Sequence, residues 1–443
     1  MASSRKSSLA ELAGGIAAML PAGSSILVGL SGGMDSVVLL DLLYGQASRF
    51  SWNIKALHVH HGISPNADHW AHFCTDLCAR LNIPIAVRNV DIAPLHAHGV
   101  EAAARKLRYA AFSEESCDYV ALAHHQDDQV ETLFLQLLRG AGVRGASAMP
   151  MVSDDGARHK VIRPLLHCTR DQILEYANER SLEWIEDESN ADVNYPRNFL
   201  RHRLLPLLAQ KFPGYRETLS RSAGHFAEAS SLLDDLAGMD GIQAISNGAL
   251  SIEVLQGLSH ARAKNLLRYF LHSEKAPMPQ VAQIDEMLRQ ILMAKNDADV
   301  AVEFGGWQVR RFRGHVYALH MLEKFDPNLE LPWCGESQLS WLATGRIINF
   351  SQSMGSGMSL TKLQRSPVTL RLRKGGEALR PAPGSATRSL KNLFQEHGIP
   401  PWQRERLPLL YCGEDLVSVI GVAIAAEYQC TEGEAGIIVE MAS

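Results

Sequence analysis

Charge of one sign, cysteine and long apolar runs are all scarce in this chain. Its 443 residues carry 43 Lys and Arg against 48 Asp and Glu, a formal net charge of -5. That near balance gives no global attraction to nucleic acid, so any such binding must use local patches. No apolar run approaches the ~20 residues needed to span a bilayer, which leaves no expected membrane helix. The opening Met1-Ala2-Ser3-Ser4-Arg5-Lys6 carries charge, but no long apolar segment or clear cleavage site follows, so no leader is expected. The seven cysteines are scattered and odd in number. They read as reduced thiols of a cytoplasmic protein, not as a disulfide framework. Internal repeats and long low-complexity tracts are also missing. What remains, 46% apolar and 21% charged residues, is the balance of a soluble globular chain. Its length predicts about two to three domains.

Against that background one stretch stands out: Ser31-Gly32-Gly33-Met34-Asp35-Ser36. It follows an apolar run, Ser25-Ile26-Leu27-Val28-Gly29-Leu30, and precedes the helix-compatible Val37-Val38-Leu39-Leu40. Strand, glycine-rich turn and helix together present backbone N–H groups to a phosphate. The paired glycines let the backbone approach the anion, and Ser31 and Ser36 add hydroxyl donors. Asp35 would repel a phosphate unless a cation lay between them, which argues for magnesium shared with a nucleotide. No Lys follows the glycines, which excludes a Walker A loop, and the G-x-G-x-x-G spacing is absent.

Up to about residue 220 the pattern alternates strands and helices. Strands are expected at 25–30, 53–60, 85–89 and 119–123, with helices at 68–82, 101–116 and 130–138. That order predicts an α/β fold with a parallel sheet, and ligands at the carboxyl ends of its strands. The loop at Ser31, the cluster His58, His60 and His61, and the cluster beginning at His124 all fall at such ends. Helical periodicity dominates 225–320, ending in an expected strand pair, 300–304 and 307–319. Residues 344–359, rich in Gly, Ser and Met, read as a linker. The last ~80 residues return to strand-type alternation.

The second chemical cluster is His124-His125-Gln126-Asp127-Asp128-Gln129-Val130-Glu131-Thr132. It opens a helix, so Asp128 and Glu131 share a face. Acidic residues in a first turn also favour the helix dipole. That role does not account for two histidines and three carboxylates at the ligand edge of a sheet. Paired carboxylates there suit binding an ammonium group, taking its proton, or holding magnesium.

The pattern S-G-G-x-D-S resembles the PP-loop of the N-type ATP pyrophosphatases. Together with the segment from His124 to Thr132 it resembles the tRNA(Ile)-lysidine synthetase family. The likeness continues through Leu137-Leu138-Arg139-Gly140-Ala141-Gly142-Val143-Arg144-Gly145, Ile162-Arg163-Pro164-Leu165-Leu166, Trp184-Ile185-Glu186-Asp187-Glu188-Ser189-Asn190 and Arg197-Asn198-Phe199-Leu200-Arg201. It resumes at Gly375-Gly376-Glu377, Leu390-Lys391-Asn392-Leu393-Phe394-Gln395 and Gly398-Ile399-Pro400-Pro401-Trp402. The resemblance implies a PP-loop ATPase domain of the adenine nucleotide α-hydrolase-like type at 1–222. A mostly helical tRNA-contacting domain would follow at 223–340, and a small basic α+β tRNA-binding domain at 341–443. It implies an ATP-dependent ligase that joins L-lysine to C2 of the wobble cytidine of an isoleucine tRNA with a CAU anticodon. Pyrophosphate and AMP would leave in turn. A cytoplasmic location fits that reading, and a homodimer is left open.

On this resemblance Ser31, Gly32, Gly33, Met34, Asp35 and Ser36 hold the pyrophosphate, and Asp35 helps place magnesium. His58 and His124 line the nucleotide pocket. Asp128 and Glu131 grip and deprotonate lysine, and Asp187 is a further candidate for its α-amino group. Arg105 and Arg108, on one helical face, and Arg201 suit phosphate because of their planar fork. Residues 361–410 hold ten Lys or Arg against three Glu, a basic module expected to grip the acceptor end of the tRNA. Phe394 and Trp402 fit core packing better than base stacking. Two alternatives stand beside this reading. One is another PP-loop amidating or thiolating enzyme; Cys74 and Cys78, four apart, do not make the C-x-x-C pair that sulfur transfer needs. The other is a non-catalytic nucleotide-binding module, which would not need the Asp128 and Glu131 pair.

Overall fold

A computed structural model describes residues 15–16, 19–62, 64–91, 100–154, 159–188, 192–294, 300–321 and 325–442. The opening residues read above for a leader, and Ser189 and Asn190 of the family-like segment, lie outside them. The chain divides into two compact units, Met1–Leu236 and Ala237–Ser443.

The first unit is built on six strands: β1 Ser25–Gly29, β2 Asn53–His60, β3 Ile85–Asn89, β4 Tyr119–Ala121, β5 Val152–Ser153 and β6 Lys160–Ile162. Their order is β3-β2-β1-β4-β6-β5. All neighbours run parallel except the β5–β6 edge, which is antiparallel. In register, Val28 lies opposite Ala56 on one side and Ala121 on the other. β1 is apolar on both faces because both are covered. Ile26 and Val28 pack with Val38, Leu39 and Leu43 of the helix Met34–Phe50. Leu27 turns to the opposite layer with Phe112 and Val120. The chain leaves β1 toward β2 on one side and reaches β4 on the other. The topological switch point therefore lies between the ends of β1 and β4.

In the second unit, the helices Ile252–Gly257, His260–Ser273 and Val281–Met293 share a core with a five-stranded sheet. The expected strand pair there is three strands, Ala301–Phe304, Trp307–Phe312 and His315–His320. Arg313 and Gly314, both at positive φ, turn the chain between the last two. The linker expected at 344–359 is also corrected. Arg346–Met354 is a nine-residue strand paired with Gln338–Trp341 and with Ala435–Met441. Ile348 and Phe350 face the core while Ile347 and Ser351 face out, the period-two pattern of a half-buried strand. Four of the ten cations of the basic module are answered from within. Arg371 pairs with Glu330 and Glu414, Arg373 with Glu377, Arg380 with Glu427 and Arg388 with Glu396. Three of those glutamates, at 330, 414 and 427, lie outside the counted stretch. Phe394 is fully buried, and Trp402 meets the edges of Phe312 and Tyr317. Among the described residues no helix is long and apolar enough to cross a membrane.

Candidate active site

The loop after β1 is shaped by its own hydroxyls. Ser36 Oγ donates to the Gly33 carbonyl at 2.9 Å and accepts from the Ser31 N–H at 3.2 Å, with the two hydroxyl oxygens 3.1 Å apart. Gly33 caps the helix Met34–Phe50 with no side-chain acceptor; the Gly33 N–H donates to Ser31 Oγ at 3.3 Å and the Ser36 N–H to the Gly33 carbonyl at 3.1 Å, which leaves the Met34 and Asp35 N–H groups to meet an anion. Gly32 has φ +88°, and a Cβ there would stand 2.5 Å from Ile185 Cδ1. Its carbonyl accepts from the Ile185 N–H at 3.0 Å, which fastens the loop to the segment carrying Asp187. Asp187 itself is half-buried two residues further on. His58 lies beneath the loop, 4% exposed, with Nδ1 2.9 Å from the Leu30 carbonyl. It thereby ties β2 to the chain entering the loop.

Across the switch point the helix Gln126–Leu138 begins with a reciprocal cap. His125 Nδ1 accepts from the Asp127 N–H at 3.2 Å, and Asp128 Oδ2 accepts from the His125 N–H at 3.0 Å. Because Nδ1 is an acceptor, Nε2 carries the proton. That Nε2 faces two carboxylates, Asp35 Oδ2 at 3.6 Å and Asp128 Oδ2 at 3.4 Å. Burial alone would lower the His125 pKa; Asp35, Asp128 and Asp127 together outweigh it and raise it. His124 goes the other way. Burial, helped by Arg163, Arg105 and Arg197, holds it below its usual range and leaves it neutral.

Asp128 and Glu131 do share one helix face, and Arg201 bridges them. Its Nε lies 2.7 Å from Glu131 Oε1, and its Nη2 lies 3.1 Å from Glu131 Oε2 and 3.2 Å from Asp128 Oδ1. Arg197 adds a second guanidinium, Nε at 3.4 Å from Glu131 Oε2. Arg201 sits in a π-helical turn, Leu200–Leu204, between the helices Pro196–Phe199 and Leu205–Lys211. Pro206 follows at once and lacks the N–H that a regular α-turn would use, so the chain widens here. The two carboxyls are driven apart in acidity. Burial raises Asp128, but the His125 side chain, the hydrogen bond from the His125 N–H and Arg201 more than reverse this and hold it low. Burial raises Glu131 too, and the two arginines offset only part of the rise. Such a split gives one fixed anion and one proton acceptor.

Arg105 and Arg108 are exposed on the helix Val100–Glu114, Arg105 with its guanidinium 5.2 Å from the Tyr109 ring centre. Their charge reaches the site, since Arg105 helps depress His124, and Arg108 helps depress His58 and His61. Sequence reasoning passed over His125, Arg197, Arg216 and Arg163. Arg216, on the helix Tyr215–Ala244, ion-pairs with Asp127. Nothing in its sequence surroundings signals that contact. His125 and Arg197 stood inside segments already singled out, where spacing did not say which member turns inward.

As an oxygen-donor site for magnesium, the residues fit. Asp35 Oδ1 is buried with no hydrogen-bond partner, and a second carboxylate, Asp128, faces the same imidazole N–H.

Comparison with known proteins adds three family matches in chain order: a PP-loop domain over residues 5–208, a TilS substrate binding domain over 250–317 and a TilS substrate C-terminal domain over 368–441. The tRNA(Ile)-lysidine synthase of Nitrosomonas europaea is 42% identical over 419 residues, 94% of this chain and 92% of that protein. That of an Azoarcus species is 41% identical over 438 residues, 97% and 95% of the two chains. Among solved structures, the U34-tRNA thiolase NcsA from Methanococcus maripaludis aligns over 50% of this chain and 80% of its own, with 19% identity and a TM-score of 0.43. A TilS C-terminal domain aligns over 26% and 98%, with 17% identity and a TM-score of 0.22.

Proposed function

The chain belongs to the tRNA(Ile)-lysidine synthase family, and from that premise we propose how its own residues carry the reaction. The enzyme is an ATP-dependent ligase that forms lysidine on isoleucine tRNA. The observation that carries the residue assignment is the convergence of Asp35 and Asp128 on His125 Nε2, at 3.6 and 3.4 Å, between the ends of β1 and β4.

The C2 oxygen of cytosine is a poor leaving group, so it first attacks the α-phosphorus of ATP and expels pyrophosphate. The loop Ser31–Ser36, through the N–H groups of Met34 and Asp35 and the hydroxyls of Ser31 and Ser36, holds that pyrophosphate, and His58 and His124 line the nucleotide side. Asp35, with Asp128 beside it, would hold a magnesium ion, which would supply charge neutralisation for the phosphates. Arg105 and Arg108 draw the phosphates of ATP or of the RNA backbone. Asp128, kept ionised, binds the lysine ammonium, and Glu131, kept more basic, takes its proton. Asp187 receives the α-amino group. The neutral ε-amine then attacks C2 and AMP leaves. Arg201, which is the cation between Asp128 and Glu131 in this structure, moves its charge toward the phosphate when lysine arrives.

We assign 1–222 to catalysis, 223–340 to tRNA contact and 341–443 to the acceptor end of the tRNA. The CAU anticodon loop goes to the first of these, with the wobble base splayed out as single-stranded recognition requires. A cytoplasmic location follows from the substrate. The test is Asp35→Ala. Pyrophosphate release should fall at least about 100-fold while tRNA binding persists; loss of tRNA binding would show Asp35 misassigned.

A further inference from the structure

The stretch from Glu183 to Glu188 has no helix or strand of its own to hold it, yet it is fastened along its length. At its start Glu183 Oε2 meets Arg80 Nη1 at 3.3 Å, at the C-terminal end of the helix Ala67–Arg80. In its middle the Ile185 N–H donates to the Gly32 carbonyl, and the Ile185 side chain fills the space a Cβ at Gly32 would need. Glu188 closes the far end. Its Oε1 accepts from Ser64 Oγ at 2.8 Å and from Asn66 Nδ2 at 2.9 Å, in the turn between β2 and that same helix. These donors are 124 and 122 residues away in sequence. They are already ordered, because Ser64 Oγ accepts from the Asn66 N–H at 3.0 Å. The turn is pinned in its own right by His60 Nε2, 3.0 Å from Asp68 Oδ1. Glu188 is exposed, and its own N–H, with Ser64 and Asn66, holds its carboxyl below the usual carboxylate range, so it stays ionised.

The exposed pair of Glu183 with Arg80 is a single contact of a kind worth little. Glu188 differs, since two donors from an ordered turn converge on one oxygen. Ile185 presses on Gly32 only while the chain beyond it is held. We propose that Glu188 is a positioning residue for the ATP step: it latches this stretch to the turn after β2 and so keeps Ile185 seated on Gly32, shaping the phosphate cradle before ATP arrives. The proposal rests on the ligase reading above. A cradle shaped in advance spends less of the ATP binding energy on ordering, so the latch acts on the ATP KM and not on kcat.

The test follows pyrophosphate release by the full-length protein at saturating magnesium, lysine and isoleucine tRNA, with ATP varied. The variants are Glu188→Ala, Glu188→Gln, Glu188→Asp, and Asn66→Ala combined with Glu188→Ala. Both bonds end on Oε1, so glutamine keeps an acceptor at the same reach, whereas aspartate keeps the charge and falls one methylene short. The ATP KM should rise about fivefold in the alanine and aspartate variants, the worth of one ordinary hydrogen bond, and stay within about twofold in the glutamine variant. The kcat and the tRNA KM should stay within about twofold throughout. Adding Asn66→Ala to Glu188→Ala should raise the ATP KM no further, because its partner is already gone. An unchanged ATP KM in Glu188→Ala overturns the latch and leaves the ligase reading standing. A glutamine variant as impaired as alanine, with aspartate spared, also overturns it, in favour of charge acting at a distance. A fall in kcat with the ATP KM unchanged overturns it as a loss of folded protein. A parent that releases no pyrophosphate overturns the ligase reading itself, and the latch with it.

Discussion

Replacing Arg201 by Met removes the guanidinium that holds Asp128 and Glu131 together. The Glu131 side chain is 0% exposed and that of Arg201 28% exposed, so the pair lies outside the weak surface regime. Breaking a buried pair from one side costs about 3–5 kcal/mol, because the remaining charge keeps its desolvation penalty. Arg197, 3.4 Å from Glu131 Oε2, compensates part of the loss and places the expectation near the lower bound, about 3 kcal/mol. In a unit of this size 1 kcal/mol moves Tm by roughly 2–4 °C, so Arg201→Met should lower Tm by roughly 6–12 °C. Adding Glu131→Gln removes the stranded carboxylate and should recover more than half of that loss. Thermal unfolding of both single variants and the double closes the cycle. A fall of less than about 2 °C for Arg201→Met, or a double variant whose loss is the plain sum, would refute the bridged pair.

Gly32→Ala places a Cβ at φ +88° against Ile185 and should disorder the phosphate cradle, lowering pyrophosphate release at least about tenfold with Tm changed by only a few degrees. An alanine enzyme with full release would mean the loop tolerates another backbone shape. His61 is pushed down to about 4 by burial, with Arg108, His58 and His60 adding to it. A depressed folded-state pKa gives stability that is complete above the unfolded value of 6.5 and is lost as pH falls toward 4. Urea midpoints at pH 7.5, 5.5 and 4.5 should therefore fall less steeply in His61→Asn than in the parent, and equal slopes would contradict the assignment.

The catalytic sheet was legible because its signals are local. Alternating apolar strands and amphipathic helices predicted a parallel sheet, though not its strand order or the short strands Val152–Ser153 and Lys160–Ile162, and the turn chemistry at Gly32 and Gly33 marked its ligand edge. Asp128 and Glu131 were legible from their three-residue spacing. Arg201 was legible as a cation, but its bridge to that pair was not, because the π-helical turn that aims it comes from Pro206 and tertiary packing. Asp127 with Arg216 joins positions 89 apart in the sequence, and no periodicity reports such a contact. The strand Arg346–Met354 was read as a linker for a similar reason. Its partner, Ala435–Met441, lies some eighty residues on, and its polar Ser351, Gln352 and Ser353 look like loop residues until that pairing is formed. Counting charge along 361–410 overstated the basic patch, since the neutralising Glu330, Glu414 and Glu427 come from elsewhere in the chain.

The most direct test is to incubate the protein with ATP, magnesium, lysine and isoleucine tRNA carrying a CAU anticodon, then digest the RNA and identify the wobble nucleoside by mass spectrometry. The account predicts lysine joined at C2 of that cytidine, with one pyrophosphate and one AMP released per lysine incorporated. An unmodified cytidine from folded protein, or lysine incorporation that yields ADP in place of AMP, would contradict it.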